Sequence, residues 1–284
     1  MRRRTLDGSL ILDRRAYAVF EFLPLLTHGG DTLPDEIVQL TARIDAGVVV
    51  TGRLQIDVFV NLARDHLRSA CRLTRFAYAL ENGTPSREAG QERVEHDTFV
   101  IGALIFAGAF VDGEINACYA MAAEGSDPNA LPEPMRGQLR DDMANFFGTK
   151  EHRYVGTLRK YQRLMELAGR TPLAEKDAPY ARVRLLLDIR NALVHYGQGP
   201  VTTSTGGPDP APPGRFEDEV SALGIPKSRW ASVGDPFFPR SMLSHELAAT
   251  AIAWAVAWVD AFYAQLGVTP SPLEGVRSEI RTLP

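Results

Sequence analysis

The sequence predicts an all-α fold. Strand signals are nearly absent, apolar residues recur at three- and four-residue spacing, and Gly, Asn and Pro mark where the periodic stretches start and stop. The one β-branched cluster, Val48-Val49-Val50-Thr51, is too short to found a sheet and can begin a helix. The periodicity predicts helices over 13–27, 34–46, 53–82, 98–124, 151–169, 179–196 and 244–266.

Local chemistry supports these boundaries. Gly29-Gly30 and Asn82-Gly83 stop the first and third helices, because both residue types tolerate the left-handed exit conformation. Asp97 or Thr98 can cap the fourth, and Ser244 can cap the last, with Leu247 at its core spacing. Pro179 opens the sixth and Gly197 follows it. The most apolar run, Phe99 to Val111, ends at Asp112; a membrane-spanning helix needs about 20 apolar residues, so this run reads as a buried core helix.

The chain has 284 residues, 45% apolar and 23% charged, enough to bury one large core or two small ones. That composition excludes disordered and collagen-like classes. A net charge of −4 argues against a protein coated in nucleic acid and leaves a local basic groove open. Cys71 and Cys118 have no ligand-like spacing and read as small buried hydrophobes in a reducing compartment. The opening MRRRTLDGSL has no apolar stretch of the signal-peptide kind, so a cytoplasmic location without membrane association is expected.

The expected organisation is an N-terminal helical region over 1–90, a polar linker over 83–97 (GTPSREAGQERVEHD) and a four-helix unit over 98–266, with a tail over 267–284. Its four helices are 98–124, 151–169, 179–196 and 244–266. Two loops interrupt it. Residues 125–137 are rich in proline, and 198–243 open with QGPVTTSTGGPDPAPPG, although Phe216, Trp230, Phe237 and Phe238 predict order in the second half.

The segment PYARVRLLLDIRNALVHYG carries the functional argument. At about 100° per residue, Val183, Leu186, Leu187, Leu193 and Val194 fall within roughly 60° of Arg190. A guanidinium is thus centred on an apolar stripe, where it is costly unless it is paired or faces a groove. Arg184, Asp188, Asn191 and His195 share the next sector. His195 lies in the last turn, where the helix dipole favours the imidazolium and suits the ring to acid–base work.

Leu187-Asp188-Ile189-Arg190-Asn191-Ala192-Leu193-Val194-His195 resembles the R-x4–6-H signature of the HEPN superfamily, including the polar residue, here Asn191, that follows the arginine. The resemblance extends to 99–121, 151–169 and 236–262, and so covers roughly 98–266; it does not explain 1–97. It implies a helical bundle that dimerises and brings two copies of the motif to one cleft. Active members are metal-independent endoribonucleases in which the ribose 2′-OH attacks the adjacent phosphate and leaves a cyclic phosphate. Carried over, His195 is the general acid/base, Arg190 neutralises phosphoryl charge, and Asn191 orients the pair, with Glu114, Asp188 and Tyr196 as supporting residues. No metal or cofactor is implied; RNA, a second copy and a partner protein are the expected partners, in phage defence or stress response. Other members are non-catalytic modules for dimerisation or partner binding, which is the alternative. One departure concerns a subfamily with tyrosine two residues after the histidine: here Tyr196 is one after and Gly197 two after.

Other readings stay beside this one. Arg190 can be a structural arginine paired with Glu114 or Asp112, and Glu114 and Asn116 break the apolar helix near its middle. Residues 136–196 hold twelve Lys/Arg against seven Asp/Glu, a charge of +5 that can form an RNA cleft or simply a solvated face. Arg240 and His245 repeat the motif spacing across a helix start, a coincidence on this reading. Trp254, Trp258 and Phe262 read as core or dimer interface, and Tyr161, Tyr180 and Tyr196 as candidates for base stacking. His28, His66, His96 and His152 show no metal spacing and read as surface or capping residues.

Overall fold

The structure, a computed structural model, describes residues 39–43, 49–53, 62–83, 89–124, 131–195, 213–269 and 271–284. The chain divides into two units, Met1–Val58 and Phe59–Pro284. In the first, β1 (Gln39–Arg43) and β2 (Val49–Arg53) pair antiparallel, with Gln39 opposite Arg53 and Thr41 opposite Thr51. This corrects the helix expected over 34–46 and the start of the one expected over 53–82. Val49, Val50 and Thr51 crowd a helix at Cβ but suit a strand once a partner is in register. The helix expected over 13–27, the stop at Gly29-Gly30 and His28 lie outside the described residues.

The described residues of the second unit are all-α. Its helices are α1 (Ala63–Asn82), α2 (Ala89–Glu124), α3 (Gln138–Phe147), α4 (Lys150–Tyr154), α5 (Thr157–Leu167), α6 (Ala178–Val194), α7 (Pro213–Ala222), α8 (His245–Gln265) and α9 (Arg277–Arg281). Helix α2 is the axis: α1, α3, α5, α6 and α8 all pack on it. From Phe99 to Ala122 none of its residues is exposed, so the apolar run Phe99–Val111 faces protein on every side and Asp112, Glu114 and Asn116 beyond it need internal partners. Glycines permit the closest approaches. A Cβ on Gly102 would lie 2.8 Å from Leu73 Cδ1, and one on Gly113 would lie 3.2 Å from Ala63 Cβ.

Several sequence expectations are met. Ser244 caps α8, accepting from Leu247 N at 3.1 Å, and a proline opens α6. Trp254, Trp258 and Phe262 are buried in the core, with Tyr161 edge-on to Trp258 and Phe262. Cys71 and Cys118 are buried free thiols, which burial pushes up to about 11 and about 12.

Others are corrected. Helix α1 was assigned by its sequence to the N-terminal region, but it is α2's most extensive partner, so the four-helix unit as read lacks a helix. The linker expected over 83–97 is helical from Ala89, so neither Asp97 nor Thr98 is a cap. Glu92 and His96 are buried there, His96 against Glu81 of α1. Asn82-Gly83 does end α1, but Gly83 leaves it in an extended conformation; the glycine is required because a Cβ would lie 2.7 Å from Ala79 O. The helix expected over 151–169 is broken between Tyr154 and Thr157. Helix α7 lies inside the 198–243 loop, α3 occupies a stretch assigned to neither helix nor loop, and the 267–284 tail buries Leu273 and Val276 and places Arg68 and Arg75 on Glu279.

Gly90–Glu124 and His245–Gln265 are each long and apolar enough to cross a membrane by length and composition, with 50% and 61% of the relevant windows buried inside the protein. In α8 the outward positions Ala253, Ala257 and Ala264 are alanines, so its hydropathy does not arise from exposed large side chains.

His152 is neither a surface residue nor a side-chain cap. It is buried edge-on to Tyr119 and Phe146, while its backbone N–H donates to the capping Thr149 Oγ1 at 3.1 Å. Burial, helped by the charge of Lys160, holds its pKa below the ordinary 6.5. The unfolded chain therefore binds the proton more tightly. Stability from neutral His152 is full above the unfolded value and is lost as pH falls through the window below it. Denaturant unfolding between about pH 7 and 5 is expected to show a smaller loss of midpoint in His152→Leu than in the wild type. Parallel pH profiles would refute this. Trp258→Ala, which empties the largest fully buried side chain, is expected to cost about 3–5 kcal/mol by the same measurement.

Candidate functional site

Helix α6 is oriented by its apolar stripe. Val183, Leu186 and Ile189 are buried, and α6 contacts both α2 and α8. Its end runs past this packing: Val194 is 53% exposed, and Asn191 and His195 are exposed. His195 follows the last helical residue, and its backbone N–H donates to Asn191 O at 2.9 Å.

Arg190 is half-buried and packs on α2 at Gly108, where a Cβ would sit 3.2 Å from both its Cγ and its Nε. A side chain at 108 would have to push Arg190 aside by a few tenths of an ångström. The Arg190 Nε is buried without a hydrogen-bond partner, and among the described residues no carboxylate pairs with the guanidinium. The two acids considered as structural partners are engaged elsewhere. Asp112 accepts from Thr157 Oγ1 at 2.6 Å, and Glu114 accepts from Tyr263 Oη at 2.7 Å.

The expected site residues are therefore only partly together. Arg190, Asn191 and His195 share one end of α6, Asp188 stands 3.9 Å from Arg184, and Glu114 is deep in the core beside Tyr263 and Cys118. Glu114 Oε2 is buried without a hydrogen-bond partner among the described residues. Tyr196 lies outside the described residues. Tyr161 and Tyr180 are buried, with Tyr161 Oη on Val111 O at 2.7 Å, so neither presents a ring for base stacking.

The local positive charge is partly used internally. Glu166 binds Arg159 and Arg163, which hold its carboxyl below the usual range, Arg159 foremost. Lys160 donates to Asn116 Oδ1 at 2.8 Å, and Arg136 and Arg140 donate to Leu131 O and Ala122 O. Lys150, Arg153, Arg170, Lys176 and Arg182 are exposed.

A second polar constellation was not visible in the sequence. Glu81 of α1 is 3% exposed, and its Oε1 accepts from His96 Nε2 of α2 and from His245 N at 2.9 Å. Its Oε2 meets His245 Nδ1 at 2.8 Å. Burial pushes the Glu81 carboxyl up, but His96 and His245 outweigh it and hold the group ionised below its ordinary value. Burial pushes His96 down, while hydrogen bonds to Asp97 and Glu81 outweigh that and raise it. His96 is thus fully buried rather than a surface residue, and His245, set aside as a coincidence of spacing, is an organising residue. The three residues lie 15 and 164 positions apart, so no local motif announces them.

The Gly108 approach gives a direct test of how Arg190 is held. In a helix interior Gly→Ala gains about 1 kcal/mol from propensity alone. Gly108→Ala is expected to realise that gain in an Arg190→Ala background and to lose most of it with Arg190 present. A double-mutant cycle by urea denaturation measures the difference; additive effects would show that Arg190 does not rest on Gly108.

A scan of family models, a search of curated proteins and a search of solved structures each find no match for the chain.

Proposed function

We propose that this chain is a HEPN-type RNA-binding protein acting as a metal-independent endoribonuclease. The observation that carries the reading is the Arg190 guanidinium. It is half-buried, has no carboxylate partner among the described residues, and lies on the helix end that exposes Asn191 and His195. A charged group desolvated without a protein anion is suited to an external anion, and a phosphodiester supplies one.

On this reading the ribose 2′-OH attacks the adjacent phosphorus. His195 serves as general base toward the 2′-OH proton or as general acid toward the leaving 5′-oxygen, and Arg190 offsets charge on the non-bridging oxygens. The exposed Lys150, Arg153 and Arg182 add attraction for the RNA backbone. Because one chain supplies one Arg190–His195 pair, a homodimer is proposed as the assembly that completes a cleft. Val194, exposed beside His195, favours a second reading in which this end of α6 is a protein-binding surface without catalysis.

The experiment compares wild type, His195→Ala and Arg190→Ala on bulk RNA with chelator present, reading product termini. Cleavage giving 2′,3′-cyclic phosphate ends is expected for the wild type, with His195→Ala about 10²–10⁴-fold slower. Intact RNA with the wild type, or equal rates in all three, would overturn the nuclease reading and leave the binding module.

A further inference from the structure

At the start of α8, remote in sequence from the α6 motif, three ligand-bearing side chains converge. His245 Nδ1 lies 2.8 Å from Glu81 Oε2 and 3.1 Å from Glu246 Oε2, and the three ligand groups lie within 4.8 Å of one another. We propose that Glu81, His245 and Glu246 form a divalent transition-metal site of the zinc type, the cation taking the place that a proton holds between His245 Nδ1 and the two carboxylates.

Charge is the first reason. One imidazole nitrogen carries one proton, yet two carboxylate oxygens face it, one of them on a residue only 3% exposed. A dication compensates both anions, whereas a single N–H serves two acceptors imperfectly. Spacing is the second. Ligands at about 2.0–2.1 Å in a tetrahedron stand roughly 3.4 Å apart, so the two separations from His245 Nδ1, 2.8 and 3.1 Å, need to open by only about half an ångström or less, and the carboxylates already lie within 4.8 Å of each other.

The surroundings fit as well. Glu81 Oε1 is already fixed by His96 Nε2 and by the His245 backbone N–H, and His96 Nδ1 is in turn 3.2 Å from Asp97 Oδ1. Oε2 is thereby left directed at His245. A ligating carboxylate held by outer hydrogen bonds is the arrangement that fixes metal ligands elsewhere. The same bond from His245 N places a carboxylate on the α8 N-terminus, offsetting the dipole that would otherwise repel a cation. One nitrogen with two carboxylates suits zinc-like ions over calcium or magnesium, which prefer all-oxygen sets. The Glu246 side chain is 40% exposed, so solvent reaches the site and a fourth position remains for water.

The test uses full-length protein stripped with chelator and then titrated with Zn²⁺ or Co²⁺, reading bound metal and the visible cobalt spectrum. One equivalent at micromolar or tighter affinity is expected, with a tetrahedral cobalt signature. Glu246→Gln changes a partly exposed side chain and is expected to keep the fold, checked by circular dichroism, while weakening binding at least tenfold. His96→Gln removes the outer hydrogen bond to Glu81 Oε1 and, in protein whose circular dichroism and unfolding midpoint match the wild type, is expected to weaken binding about 10–100-fold. Stoichiometric binding that Glu246→Gln leaves unchanged, or no binding in the wild type, overturns the proposal. Neither outcome bears on RNA cleavage, which uses no metal.

Discussion

The second unit depends on one carboxylate. Glu81 stands near the end of α1 and is almost entirely removed from water. An isolated carboxylate there would be prohibitively costly, so the fold must supply partners from outside its own helix. It does so twice: His96 comes from the first turns of α2 and His245 from the first turn of α8. Each bond fixes an axial position. Together they set where α1 ends relative to α2 and where α8 begins relative to both. Ser244, capping α8 at that junction, and Tyr78, edge-on to His245 at 4.9 Å, hold the same level of the structure. Once α8 starts there, its buried face carries Trp258 to Tyr161 and Tyr263 to Glu114.

Apolar packing alone would not have specified this register. From Phe99 to Val111 helix α2 is apolar on all sides, so within that run sliding by a turn would exchange one buried apolar residue for another. The polar bonds at its ends break that degeneracy. At the entry, His96 binds Glu81 and Arg93 binds Asp235 at 2.6 Å. Further along, Asp112 holds Thr157, Asn116 holds Lys160, and Tyr119 Oη donates to Lys160 O at 3.0 Å. The glycines act at close range in the same sense, since Gly102 admits Leu73 and Gly108 admits Arg190. Buried polar pairs serve here as specifiers of position, a role for which their net energy need not be large.

That division explains what could be read from the sequence. Periodicity finds helices whose stripes face an apolar partner, so α6 and α8 are read within about two residues of their observed ends. The wheel of α6 centres Arg190 on the apolar stripe and puts Asn191 and His195 on the next sector; in the structure Arg190 is half-buried and the other two are exposed, a division that depends only on local geometry. Residues 89–97 were misread for the opposite reason. Glu92 and His96 look like linker residues until Glu81 and Trp230, distant in sequence, surround His96. The β hairpin failed similarly: Gln39 to Arg43 has no strand character until Val49 to Arg53 lies beside it.

The same physics separates the two candidate sites. Around Glu81 the protein supplies answering groups, His96 and His245. Around Arg190 the protein supplies no answering charge among its described residues. Asp112 and Glu114 lie on the neighbouring helix yet are committed to Thr157 and Tyr263. The part of Arg190 that rests on Gly108 is its stem, Cβ, Cγ and Nε. A helix that had only to pack would place leucine there, as it does at Leu186 and Leu187. At Arg190 the helix instead holds a half-buried cation against Gly108, with His195 exposed five positions further on.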